Sequence, residues 1–108
     1  MAKNPILTQY DDEGFPVNAI FTQPIAAGAS TTTLKAGAGR VCKVAVTTAG
    51  TATDNLTIYD NATAGSGTIL AVIPGGGSLQ VYDINMPAQN GITVVNVASG
   101  PAVTVGWS

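Results

Sequence analysis

A chain of 108 residues has room for one hydrophobic core and not for two, so a single domain is expected. Only 9% of its residues are charged against 45% hydrophobic, so Thr, Ser, Asn, Gln and Gly must cover a surface with little charge repulsion, and part of that surface is expected to lie against other protein. A net charge of −2 with four basic residues (Lys3, Lys35, Arg40, Lys43) argues against nucleic acid as a partner, the lack of histidine removes Ser-His-Asp and Cys-His catalysis, and a single cysteine removes an internal disulfide.

Residues 1–24 differ from the rest. They hold the acidic cluster Asp11-Asp12-Glu13 and three prolines, Pro5, Pro16 and Pro24, and neither a period of 2 nor one of 3.6 persists. This segment reads as an extended N-terminal arm. Its Ile6, Leu7, Tyr10, Phe15 and Phe21 are too apolar for a free linker and are expected to anchor it on an interface, within the chain or on a neighbouring subunit. Met1-Ala-Lys-Asn-Pro5 lacks an apolar run after its lysine, and no window nears the roughly 18 apolar residues of a membrane span. A soluble protein beginning at Met1, with no membrane partner, is the expectation.

From residue 25 to 108 the pattern becomes short runs rich in Val, Ile, Thr and Tyr, split by Gly, Asn, Asp, Ser and Pro. Seven strands are predicted, over 30–35, 40–48, 55–60, 68–73, 79–84, 91–97 and 102–107, making an all-β fold, a single β-sandwich or jelly-roll-like domain. Side chains alternate between the two faces of a strand, so one set in each run is core. The expected core is Val44, Val46, Leu56, Ile58, Ile69, Ile73, Leu79, Val81, Ile92, Val94, Val103 and Val105, and Cys42 is read as a small buried residue. No window makes a convincing helix: the best, 24–38, is broken by Gly28, Thr31-Thr32-Thr33 and Gly37.

Residues suited to chemistry are few and scattered. Asp54, Asp60 and Asp83 stand at strand ends and read as turn formers rather than as a carboxylate pair or a calcium loop. Gly75-Gly76-Gly77 and Gly37-Ala38-Gly39 lack the Lys-Ser/Thr and the helix that a phosphate loop needs. The acceptor patterns at Asn55 and Asn61 carry no weight without a leader peptide. Tyr59, Tyr82 and Trp107 are the rings that a carbohydrate-binding module would use, although Trp107 reads better as core or interface. No catalytic residue, metal or cofactor is assigned, and the chain is expected not to be an enzyme.

The stretch from Leu56-Thr-Ile-Tyr-Asp-Asn to Val72-Ile-Pro74, with Gln80-Val-Tyr-Asp-Ile-Asn-Met-Pro87, Gly91-Ile-Thr-Val-Val95 and Pro101-Ala-Val-Thr-Val105, resembles small virion proteins of tailed bacteriophages. The likeness is to head decoration, or cement, proteins and related minor structural proteins, and it covers about residues 40–108. It implies a sandwich or jelly-roll module, a homo-oligomer with a trimer favoured, made in the host bacterial cytoplasm. Such a module sits on the virion capsid surface, binds the major capsid protein and ties coat subunits together. A tail, baseplate or fibre component, or a carbohydrate-binding module, is the alternative.

Overall fold

The computed structural model describes residues 19–108, so the expected anchors Ile6, Leu7, Tyr10 and Phe15, and the arm up to residue 18, lie outside the described residues. Eight strands follow in order: β1 (Phe21–Ile25), β2 (Ser30–Lys35), β3 (Gly39–Thr48), β4 (Leu56–Asp60), β5 (Thr68–Ile73), β6 (Val81–Ala88), β7 (Ile92–Asn96) and β8 (Ala102–Trp107). Two four-stranded antiparallel sheets result, one ordered β1-β8-β3-β6 and the other β2-β7-β4-β5. The all-β expectation therefore holds at the level of a two-sheet sandwich. The strand pairs are nested, β4 with β5, β3 with β6, β2 with β7 and β1 with β8, as though one long hairpin had been rolled up. A thin dimension of 21 Å fits two sheets about 10 Å apart with side chains beyond each.

Six of the strands lie on the predicted runs to within a residue, and β6 overlaps its run of 79–84 but starts two residues later and ends four residues beyond it. The eighth, β1, falls almost wholly within the segment whose patterning reads as the arm. Phe21–Ile25 pairs with β8 along its whole length, Phe21 opposite Trp107 and Ile25 opposite Val103, so the sandwich takes in four residues that sequence patterning left outside it. Gln23 and Pro24 hide the strand from a periodicity search, and Pro24 is tolerated because β1 is an edge.

Aliphatic side chains of both sheets fill the space between them. Val41, Val44, Val103 and Val105 come from one sheet and Leu56, Ile58, Ile73, Ile92 and Val94 from the other, all 0–1% exposed. Nine of the twelve expected core residues are buried, and three are not: Ile69, Leu79 and Val81 are 51–63% exposed. Two irregularities account for them. A register shift in the β4–β5 pair sets Ile58 opposite Ala71 but Tyr59 opposite Ile69, which turns Leu70 into the core and Ile69 out. In β6 the inward face carries Tyr82 and Ile84, because Tyr82 pairs with buried Val44 and Val81 with outward Ala45.

A second shift lies between Val41 and Lys43, where β6 bulges and Asn85 takes a φ of 50°. Asn tolerates this left-handed conformation better than most residues, and Arg40 Nη1 donates to the Asn85 carbonyl at 3.2 Å. The bulge on β3 itself buries Val41 and Cys42 side by side, and burial pushes the Cys42 thiol above its ordinary value.

The core assignment predicts a contrast in urea unfolding. Ile73→Ala should cost about 2–5 kcal/mol through lost burial and a cavity, whereas Ile69→Thr, four residues earlier in the same strand, should cost less than about 1 kcal/mol. Equal losses would contradict the shifted register.

Candidate functional site

The connections gather at the two ends of the sandwich, and polar side chains hold both. At one end, buried Asn96 donates to the carbonyls of Ala26 (3.1 Å) and Pro101 (2.8 Å) and accepts from the Val97 N–H, locking the β1–β2 and β7–β8 connections together. Gly50, Gly75 and Gly100 lie there with no room for a Cβ: one added to Gly75 would run into the carbonyls of Asp54 and Thr51, and one at Gly100 into Asn96 Oδ1. Asn55 Oδ1 also accepts from the Gly75 N–H at 3.1 Å. The glycine run after β5 is thus a close backbone-to-backbone contact, with its space already filled by this chain.

At the other end, the Asp60 carboxylate accepts from the backbone N–H groups of Asn90 (2.7 Å), Gln89 (3.0 Å) and Gly91 (3.3 Å), which make the β6–β7 turn. Burial raises its carboxyl, the three donors lower it, and the donors prevail, leaving Asp60 below the usual 3.8. Asn61 next to it organises the β4–β5 loop, with Oδ1 accepting from Thr63 N (2.8 Å) and Ala64 N (2.9 Å). Thr93, on the outward side of β7 yet fully buried, donates to the Asn61 carbonyl at 2.8 Å and bonds Thr33 at 3.2 Å. This loop folds back over the outer face, where a Cβ on Gly65 would strike Val95.

The three acids singled out in the sequence are therefore dispersed. Asp60 clamps a turn, Asp54 lies at the opposite end, and Asp83 pairs with Lys43 at 3.7 Å on an exposed strand surface, where an ion pair contributes little. Among the described residues no three of Asp, Glu, His and Cys gather as metal ligands. The rings are dispersed too. Trp107 is buried at the end of β8 and packs on Phe21 with centroids 5.7 Å apart. Tyr82 packs on the core and takes a 2.7 Å hydrogen bond from Gln80, while Tyr59 stands half-buried on the outer face of the other sheet. Phe21, the one expected anchor inside the described residues, is an edge-strand residue stacked on its own sandwich.

What the strands bring together outside the core is rows of threonine with a few exposed aliphatic side chains at the sheet edges. On the sheet β2-β7-β4-β5, register aligns Thr31, Val95, Thr57 and Val72 in one outward row and Thr33, Thr93, Tyr59 and Ile69 in the next, with Val72 and Ile69 about half exposed at the β5 edge. On the other sheet, Pro24, Thr104, Ala45 and Val81 form a row, and Val46 N donates to the Gln80 carbonyl at 2.8 Å just before β6 begins. Leu79 and Val81, at 63% and 60%, are the most exposed large apolar residues described. Both were expected in the core. Their matching parity signalled that they share a face, and only the pairing with Ala45 fixes that face as the outer one.

No family model, no curated protein and no solved structure matches the chain.

The Asp60 geometry predicts a pH dependence. Its folded carboxyl is more acidic than the unfolded one, so the stability it contributes is fully present above pH 3.8 and is lost as pH falls through the lower folded value. Asp60→Ala should cost about 1–3 kcal/mol at pH 7, and urea titrations at pH 7 and pH 2 should show that deficit shrinking in acid. A deficit independent of pH would contradict the carboxylate clamp.

Proposed function

We propose that the chain is a jelly-roll structural protein of a tailed-phage particle, one that binds the outside of the capsid and stabilises contacts between coat subunits. The nested pairing supports this reading: eight strands rolled as β1–β8, β2–β7, β3–β6 and β4–β5 are the arrangement of a jelly roll, an architecture at home in viral capsids. The observation that carries the contact role is the outward display of large apolar side chains by a protein with few charges. Ile69 and Val72 lie on the edge strand β5, flanked on β4 by Tyr59 and Thr57, and supply an apolar strip bordered by hydroxyl-bearing side chains, as an interface patch would.

The mechanism is burial repeated by symmetry. A contact of about 1,600 Å² needs no reactive group to hold two partners, and a shell presents it many times over. In this reading the Ile69–Val72 face meets the major capsid protein, Ile6, Leu7 and Tyr10 of the arm add anchors, and the module acts as a homo-oligomer, a trimer by preference, on the virion surface. Hydrogen bonds from Asp60, Asn61 and Asn96 tie the end loops down, which limits the ordering entropy lost on docking.

Co-sedimentation with empty shells of the coat protein encoded alongside this chain tests the proposal. Saturable binding is expected, weakened at least about tenfold, equivalent to 1.4 kcal/mol, by Ile69→Asp with Val72→Asp. Absence of binding to shells, or unchanged binding by the double variant, would overturn it. Saturable binding to a glycan instead, lost on Tyr59→Ala, would move the chain to the carbohydrate-binding class.

A further inference from the structure

The β6–β7 turn holds the one asparagine in the sequence that is followed by glycine, Asn90-Gly91. This dipeptide is the most prone to lose its side-chain amide: the next residue's backbone nitrogen attacks the Asn side-chain carbonyl carbon, and glycine puts no Cβ in the way. The fold leaves no choice of successor. A Cβ at position 91 would lie 2.6 Å from Ala62 Cα, 2.7 Å from the Lys35 carbonyl oxygen and 2.8 Å from that of Asn61, so glycine alone fits between the end of β2 and the β4–β5 loop. Asn90 is exposed, and its side chain makes no hydrogen bond among the described residues, whereas those of Asn55, Asn61, Asn85 and Asn96 are all engaged.

One group stands against the reaction. Asp60 Oδ1 accepts from Asn90 N at 2.7 Å and from Gly91 N at 3.3 Å, while Oδ2 accepts from Gln89 N at 3.0 Å. Ring closure needs the Gly91 nitrogen to swing toward Asn90 Cγ by rotation about the Asn90 Cα–C bond. That bond lies between two N–H groups tethered to a single oxygen, so the rotation must break at least one tether. Attack also needs the Gly91 nitrogen to give up its proton, and a carboxylate beside it opposes negative charge there.

We propose that Asn90 is a deamidation site which Asp60 holds shut in the folded protein and which opens when that clamp is released. On release, the Gly91 nitrogen loses its proton to solvent and bonds to Asn90 Cγ, and the Cγ–N bond of the side-chain amide breaks. Ammonia leaves with a proton from water, and a succinimide remains. Water then opens either ring carbonyl to leave aspartate or isoaspartate at position 90, so that one water is consumed for each ammonia lost and nothing is oxidised or reduced. The product does not return to the closed turn. Its carboxylate repels that of Asp60, and the isoaspartyl form also inserts a methylene into the backbone between the two N–H groups that share Oδ1. Deamidation is thus a one-way loosening of the β6–β7 turn from the end of β4. It rests on the Asp60 clamp alone and is independent of the capsid reading.

Incubation of the full chain at mildly alkaline pH, with the exchange of amide for carboxylate at Asn90 followed by peptide mapping and mass spectrometry, provides the test. The folded protein is expected to react at least about tenfold more slowly than the same chain unfolded in urea, the least that loss of one hydrogen bond to a carboxylate implies. Asp60→Asn, which keeps the shape of the side chain but not its charge, should raise the folded rate by about tenfold. Ile73→Val, a loss of stability placed in the core instead, should leave that rate near the wild-type value. Equal rates for the folded and unfolded wild-type chain would overturn the proposal, as would an Asp60→Asn rate that stays at the wild-type value or that Ile73→Val reproduces.

Discussion

One constraint governs this molecule: each strand can bury only one of its two faces, and the aliphatic side chains from two sheets must fill the space between them. With one cysteine no internal disulfide contributes, and the described ion pair between Lys43 and Asp83 is exposed and weak. Cohesion therefore comes from Val44 and Val105 facing Leu56, Ile58 and Val94, a layer of β-branched and branched residues that suit a pleated surface. The central strands β8 and β3 of one sheet and β7 and β4 of the other supply most of this layer, and the edges β1, β2, β5 and β6 complete it.

The ends follow from the same constraint. Strands that cross between sheets must do so through loops whose backbone groups would otherwise go unpaired, and Asn96, Asn61 and Asp60 supply the missing partners. Asp60 is a turn former in a sense that sequence spacing does not reveal: the turn it holds is about thirty residues away, between β6 and β7, and not its own. The glycines after β5 likewise make room for a distant backbone, that of residues 51–54.

Much of the fold was legible because period-2 alternation survives wherever the strands are regular. Leu56 and Ile58, Ile92 and Val94, and Val103 and Val105 were placed correctly on that basis alone, and so was Cys42. The misplacements occur where regularity ends. Alternation counted back from Ile73 puts Ile69 inside, and a bulge opposite Tyr59 reverses it; Leu79 and Val81 alternate cleanly, but nothing in a single strand says which face is inward. β1 was missed because an edge strand with Gln23, Pro24 and one buried apolar residue, Ile25, carries almost no periodic signal. These same errors define the surface that matters, since an apolar residue with strand-like spacing that fails to reach the core must face outward. The interface anchors named from sequence fare differently: Phe21 stacks on Trp107, and the other four fall outside the described residues.

The stability of the sandwich depends most on the facing aliphatic layers of the four central strands. Native-state amide exchange tests it directly. The slowest amides should be those of Val44, Val46, Val94 and Val105, exchanging only through global unfolding, with those of β1 and β2 opening more readily. Protection in β1 and β2 equal to or above that of β3, β7 and β8 would contradict it.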